Sequence, residues 1–198
     1  GRTFPAGADI REFGKPPAGP ALPDVISEYE SSDKLVIAAI HGTALGGGLE
    51  VALGCDYRVA LESAKVGLPE VKLGLLPGAG GTQRLPRLIG AKAALDMIVG
   101  GNPVKAKDAF KVGIVDEVVG GDLLEGALAY ARKLVAENAP LRKIRDLDVK
   151  KEDADLFTNY EKSIARKQRG FKAPFHCIKA VQAAVELPFD EGMKRERE

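Results

Sequence analysis

The 198-residue sequence has no tryptophan, two cysteines, two histidines and almost no net charge, with 29 Lys plus Arg against 28 Asp plus Glu. Each scarcity removes a class of function. A net charge of +1 gives no whole-protein field to steer nucleic acid or an anionic membrane. The few aromatics are not interleaved with Lys or Arg as a base-stacking platform requires, so no nucleic-acid partner is expected. Cys55 and Cys177 stand far apart, in no CxxC and no His-rich spacing, which argues against a metal site or a disulfide framework and suits a reducing compartment. No apolar run reaches the roughly 18 to 20 residues that cross a bilayer. The start, "GRTFPAGADI", lacks the charged head and apolar core of a signal peptide and reads as a chain entered in its middle.

What is present is a 45% hydrophobic chain, enough for a substantial core in one or at most two domains. Residues 11–24 are a Pro- and Gly-rich loop with a helix after it. "KLVIAAIHG" at 34–42 reads as a strand buried on both faces, followed by a helix over 46–54 and short strands in "CDYRVAL" and "AKVGLP". Helices are predicted in "TQRLPRLIG", with Thr82 as N-cap and Gly90 as stop, and in "AKAALDMIVGG". "KDAFKVGIVDEVV" gives a helix end, a Gly turn and a strand; Asp122 is placed to cap a further helix that ends before Pro140. Residues 141–153 are charged and irregular, a linker or exposed loop. Helical patterns over about 154–169 and 174–187 then lead into the charged "DEGMKRERE".

Chemistry concentrates in three glycine clusters. In "HGTALGGGLEVALGCDYRVA", Glu50 follows the glycines at 46–48 in an otherwise apolar segment. As a first-turn acid it gains about 0.3 to 1 kcal/mol from the helix dipole. As a buried lone carboxylate it is costly, with a raised pKa, and belongs among functional candidates. The glycines serve either tight packing or amides that stabilise an oxyanion at a helix N-terminus. GxxxxGK[ST], GxGxxG and GxSxG are all absent here. In "KVGLPEVKLGLLPGAGGTQRL", Glu70 sits near Gly78, Gly80 and Gly81, either as a surface acid or as the partner of Glu50 in acid and base work. "FPAGADIREF" leaves further amides uncovered, with Asp9 able to cap a turn. His41, His176 and Cys177 read as packed residues, Asp56 as structural, and Arg84 and Arg87 as a solvated helix face.

Together, "FPAGADI", "HGTALGGGLEVALGCDYRVA" and "GLPEVKLGLLPGAGGTQRLPRLIG" resemble the crotonase, or enoyl-CoA hydratase/isomerase, superfamily across about residues 1–120. The resemblance implies an α/β fold, a spiral of ββα repeats over residues 1–121 followed by C-terminal helices over 122–198, in a homo-oligomer, usually a trimer. The family's opening strands precede the first motif, so part of the acyl-CoA cleft is expected to be absent from this chain. Residue by residue, the family pattern gives Ala8 and Gly47 the oxyanion hole, Glu50 and Glu70 the roles of catalytic base and acid respectively, and Gly78 the placing of water. Ala6, Asp9 and Ile10 fall where the family contacts coenzyme A. The implied activity is hydration of trans-2-enoyl-CoA in β-oxidation, with no metal and no cofactor besides the coenzyme A of the substrate. Its rivals are Δ3,Δ2-enoyl-CoA isomerisation alone and an inactive acyl-CoA-binding fragment. "APFHCIKAVQAAVELPFDEGMKRERE" is similar to the segment joining the hydratase to a 3-hydroxyacyl-CoA dehydrogenase portion in multifunctional fatty-acid oxidation proteins, where NAD would enter only through that downstream domain. The implied setting is cytoplasmic in a bacterium and peroxisomal or mitochondrial in a eukaryote.

Overall fold

The computed structural model describes residues 3–7, 11, 14, 19–150 and 152–198. Helix α1 (Leu22–Ser31) leads into two short strands, β1 (Ile37–Ile40) and β2 (Thr43–Leu45), and then α2 (Gly47–Gly54). The chain repeats this pattern with β3 (Tyr57–Leu61), β4 (Lys65–Gly67), a 3-10 turn (Glu70–Leu73), α3 (Gly81–Ile89) and α4 (Ala91–Gly100). A shorter passage, β5 (Val104–Lys105), α5 (Ala106–Lys111) and β6 (Glu117–Val119), completes the strands. The rest is helical: α6 (Leu123–Ala136), α7 (Leu156–Ala165), α8 (Ala173–Glu186) and α9 (Phe189–Arg197).

Successive strands go to different sheets. β1, β3 and β6 form one parallel sheet, with Ile37 opposite Tyr57 and Val59 opposite Glu117. β2, β4 and β5 form the other, parallel between β2 and β4 and antiparallel between β4 and β5. A parallel neighbour needs a crossover, and each helix with its paired strand supplies one. The outcome is the ββα spiral, and the core lies inside it: Ile40, Leu49, Leu53, Val59, Leu68, Leu85, Leu95 and Ile98 are wholly buried.

Several expectations are corrected. The segment at 34–42 is a shorter strand with alternating burial, and β2 follows it, because Gly42 at φ +73 turns the chain into a second sheet. Gly80, at φ +96, caps α3, and Thr82 is the helix's second residue. The segment expected to be a linker or exposed loop is anchored at residues 142–144: Ile144 is buried, Lys143 pairs with Asp56, and Arg142 pairs with Asp116 while stacking 4.5 Å over Tyr57. Arg84 and Arg87 are buried; Arg84 donates two 2.8 Å bonds to Glu30, and both guanidinium groups stack on Phe189. His41 and His176 are exposed, whereas Cys177 is packed as expected. Asp56 is structural, accepting from the Val36 amide at 2.8 Å. Asp122 caps α6 by accepting from the Glu125 amide. The charged tail is not a plain solvated end, since α9 buries Phe189, Gly192 and Glu196.

Candidate active site

The strand β2 ends where Gly46 takes φ +54 and ψ −129, a conformation open in practice to glycine. The Gly46 amide is consumed by the Gly67 carbonyl at 2.9 Å, so the amides exposed at the positive end of α2 begin at Gly47, the first helical residue. Space here is tight. A methyl group at Gly48 would fall 1.8 Å from the Pro5 carbonyl oxygen, and one at Gly47 would fall 2.9 Å from a Leu22 methyl. Small residues therefore let residues 3–7 and α1 close over the start of α2.

Glu50, one turn further on, is 3% exposed and does not reach back to its own helix N-terminus. Its Oε1 accepts from the backbone amides of Ala79 and Gly81, both at 2.8 Å, which belong to the second glycine cluster. Gly81 is needed there, because a Cβ would meet that oxygen at 2.9 Å. Burial drives the Glu50 carboxyl upward from its ordinary value, opposed by the two amides and by the Arg84 charge.

Glu70 opens the 3-10 turn after β4, and its Oε1 lies where a Cβ on Gly46 would come within 3.1 Å. Its Oε2 is buried without a hydrogen-bond partner among the described residues. Burial pushes Glu70 up to about 7; a backbone hydrogen bond opposes this and the Glu50 charge adds to it. The two acids thus differ: one is bound by amides, the other is left with an oxygen free to exchange a proton near neutrality.

Both acids line one cavity of about 430 Å³, together with Ala6, Gly47 and Gly78. Leu22, Leu73, Leu75 and Leu76 supply an apolar wall that composition alone did not single out. A Cβ on Gly78 would meet nothing within 4 Å, so this position faces the open space. Ala8, Asp9 and Ile10 lie outside the described residues. The site is thus a cavity that brings two unlike carboxylates together beside the N-terminus of α2, with an apolar wall opposite them. Among the described residues no group of three or more His, Cys, Asp or Glu could hold a metal ion, and no helix is long and apolar enough to cross a membrane.

The acid missed by sequence reasoning is Glu196, 3% exposed on α9. It accepts from the Gly80 amide at 2.7 Å and from Thr82 through its amide at 3.1 Å and its hydroxyl at 2.5 Å. The signal was faint: Phe189, Gly192 and Glu196 recur at helical spacing inside a run that composition marks as a solvated end.

Against known proteins, the family model described as enoyl-CoA hydratase/isomerase matches residues 1–186. A peroxisomal bifunctional enzyme from Danio rerio is 47% identical over 197 residues, covering 98% of this chain and 27% of that protein. A fatty acid oxidation complex subunit alpha from Pseudomonas entomophila is 39% identical over 213 residues, covering 98% of this chain and 30% of that protein. The chain therefore spans less than a third of the length of these relatives. A solved enoyl-CoA hydratase from Bacillus anthracis superposes with a TM-score of 0.61 at 32% identity, covering all of this chain and 67% of that one.

Proposed function

The chain belongs to the enoyl-CoA hydratase/isomerase family, and from that premise we propose that it is an enoyl-CoA hydratase, adding water reversibly to trans-2-enoyl-CoA in fatty-acid β-oxidation. The observation that carries the reading is the convergence of Glu50 and Glu70, differently held, on one cavity beside the Gly47 amide. In this reaction a water oxygen bonds to C3 while Glu50 takes its proton. The C2–C3 π electrons shift toward the thioester carbonyl, and C2 receives a proton from Glu70. The carbonyl oxygen becomes enolate-like, and the Gly47 amide, with that of Ala8, is its oxyanion hole. Both amide bonds to Glu50 end on Oε1, which leaves Oε2 as the oxygen not committed to the 78–82 loop. Gly78 offers an amide to the water, while Ala6, Asp9 and Ile10 contact coenzyme A.

Residues 1–121 form the spiral core in this reading and 122–198 the helical region leading toward a dehydrogenase domain, which would bring NAD; the names of the bifunctional relatives support that arrangement. A homo-oligomer, a trimer by family habit, completes it, in the cytoplasm of a bacterium or in a peroxisome or mitochondrion of a eukaryote.

Glu70 also supports a second activity. A buried carboxylate oxygen without a partner, on a group pushed up to about 7, suits the single proton shuttle of Δ3,Δ2-enoyl-CoA isomerisation. Loss of the enoyl thioester absorbance of crotonyl-CoA tests hydration. Glu50→Gln and Glu70→Gln are each expected to lower it by about 10²- to 10⁴-fold, the usual worth of a positioned acid or base. Isomerisation of a 3-enoyl-CoA should fall only in Glu70→Gln; equal loss in both variants contradicts the single shuttle. A parent protein that leaves crotonyl-CoA unchanged would be a binding module instead.

A further inference from the structure

Among the buried acids that the proposed hydration leaves unused, Glu196 has contacts that mirror those of Glu50. The amides of residues 79–82 alternate: Ala79 and Gly81 donate to Glu50, Gly80 and Thr82 donate to Glu196. Two carboxylates far apart in the sequence therefore share one helix N-terminus, where backbone N–H groups favour negative charge. The match extends to shape. α9 approaches α3 through Gly192, where a Cβ would fall 2.1 Å from Gln83 Oε1, and the Phe189 ring carries Arg84, Arg87 and Arg145.

We infer that Glu196 is a positioning residue for hydration: it clamps the 78–82 loop so that the Ala79 and Gly81 amides stay aimed at Glu50, and its charge across that loop strengthens Glu50 as a base. The inference rests on the hydratase reading. The groups around the pair are Arg84 of α3, Glu70 of the 3-10 turn and Cys177 of α8. Lys172, His176 and Arg197 line one cavity beside Glu196, and His176, Lys179, Arg195 and Glu198 line another. None of these is hydrogen-bonded to either carboxylate: burial is the first cause of the rise at both, and the shared loop amides are their direct partners. Burial pushes Glu196 up to about 7, and the Glu50 charge is the next cause, opposed by the bonds from Gly80 and Thr82.

The test is the pH profile of kcat/KM for crotonyl-CoA hydration by the full chain, with thermal melts alongside. Glu196→Gln removes the charge and sets an NH2 group where an amide donor needs an acceptor. It should lower kcat more than it raises KM and move the acid limb down by on the order of one pH unit. Glu196→Asp, which keeps the charge, should return the limb toward the parent's. If the Glu196 variants do not fold, Thr82→Val removes one donor to Glu196, leaves it less charged, and should move the limb the same way by less. A structural clamp alone lowers activity only with the folded fraction. An unmoved limb in folded Glu196→Gln or Thr82→Val protein overturns the inference while hydration by the parent stands. Absence of hydration in the parent overturns the hydratase reading itself.

Discussion

Gly48 and Gly78 show how differently two glycines of one site behave. At Gly48 an added methyl would meet backbone, the Pro5 carbonyl, at 1.8 Å; at Gly78 it would meet nothing. Gly48→Ala must push residues 3–7 off α2, and a destabilisation of about 1 to 3 kcal/mol is expected from such overpacking. Gly78→Ala should melt with the parent yet lose hydration, because its methyl enters the cavity. Thermal melts and crotonyl-CoA turnover on the two variants separate the cases. The sequence shows both glycines but not this difference, which depends on what lies opposite each.

At the level of elements, Asp116 holds strand to segment. It accepts from the Arg58 amide at 2.8 Å and from the Arg58 side chain at 3.0 Å, and it pairs with Arg142 of the 141–153 stretch. Arg58 is wholly buried and also donates to the Ile114 and Cys55 carbonyls, tying β3 to the end of α2. Asp116→Ala leaves that guanidinium uncompensated, at a cost of about 3 to 5 kcal/mol, measurable as a lower urea midpoint with little change in slope. Local pattern located most elements: α2, β3, β4, α4, α5 and α6 follow apolar period and Gly or Pro punctuation. It failed for α9 and for the face of α3 that carries Arg84 and Arg87. There the buried positions are polar, and hydropathy reads polar residues as exposed unless the partner, here Glu30 or the 79–82 amides, is known.

For the whole molecule the acids make stability depend on pH with a defined sign. Glu70 and Glu196 are both raised from 4.5 to about 7 by burial. Between those values the folded chain holds protons that the unfolded chain has released, so their contribution is fully present below pH 4.5 and is lost as pH rises through about 7. Urea midpoints stepped across that window should fall with rising pH in the parent, and the slope should flatten in the Glu70→Gln, Glu196→Gln double variant. An equal slope in both would remove these two groups as its cause.

The sequence by itself determined the glycine clusters, the two acids at 50 and 70, the mixed α/β order and the family, because these rest on local spacing and residue type. Only the tertiary structure decided which amides hold Glu50, that successive strands divide between two sheets, and that a charged C-terminal helix delivers Glu196 to the same helix N-terminus. Those outcomes depend on contacts between residues up to 116 positions apart. Hydropathy and periodicity describe neighbours along the chain, whereas the environment of a buried carboxylate is set by whatever the fold packs against it.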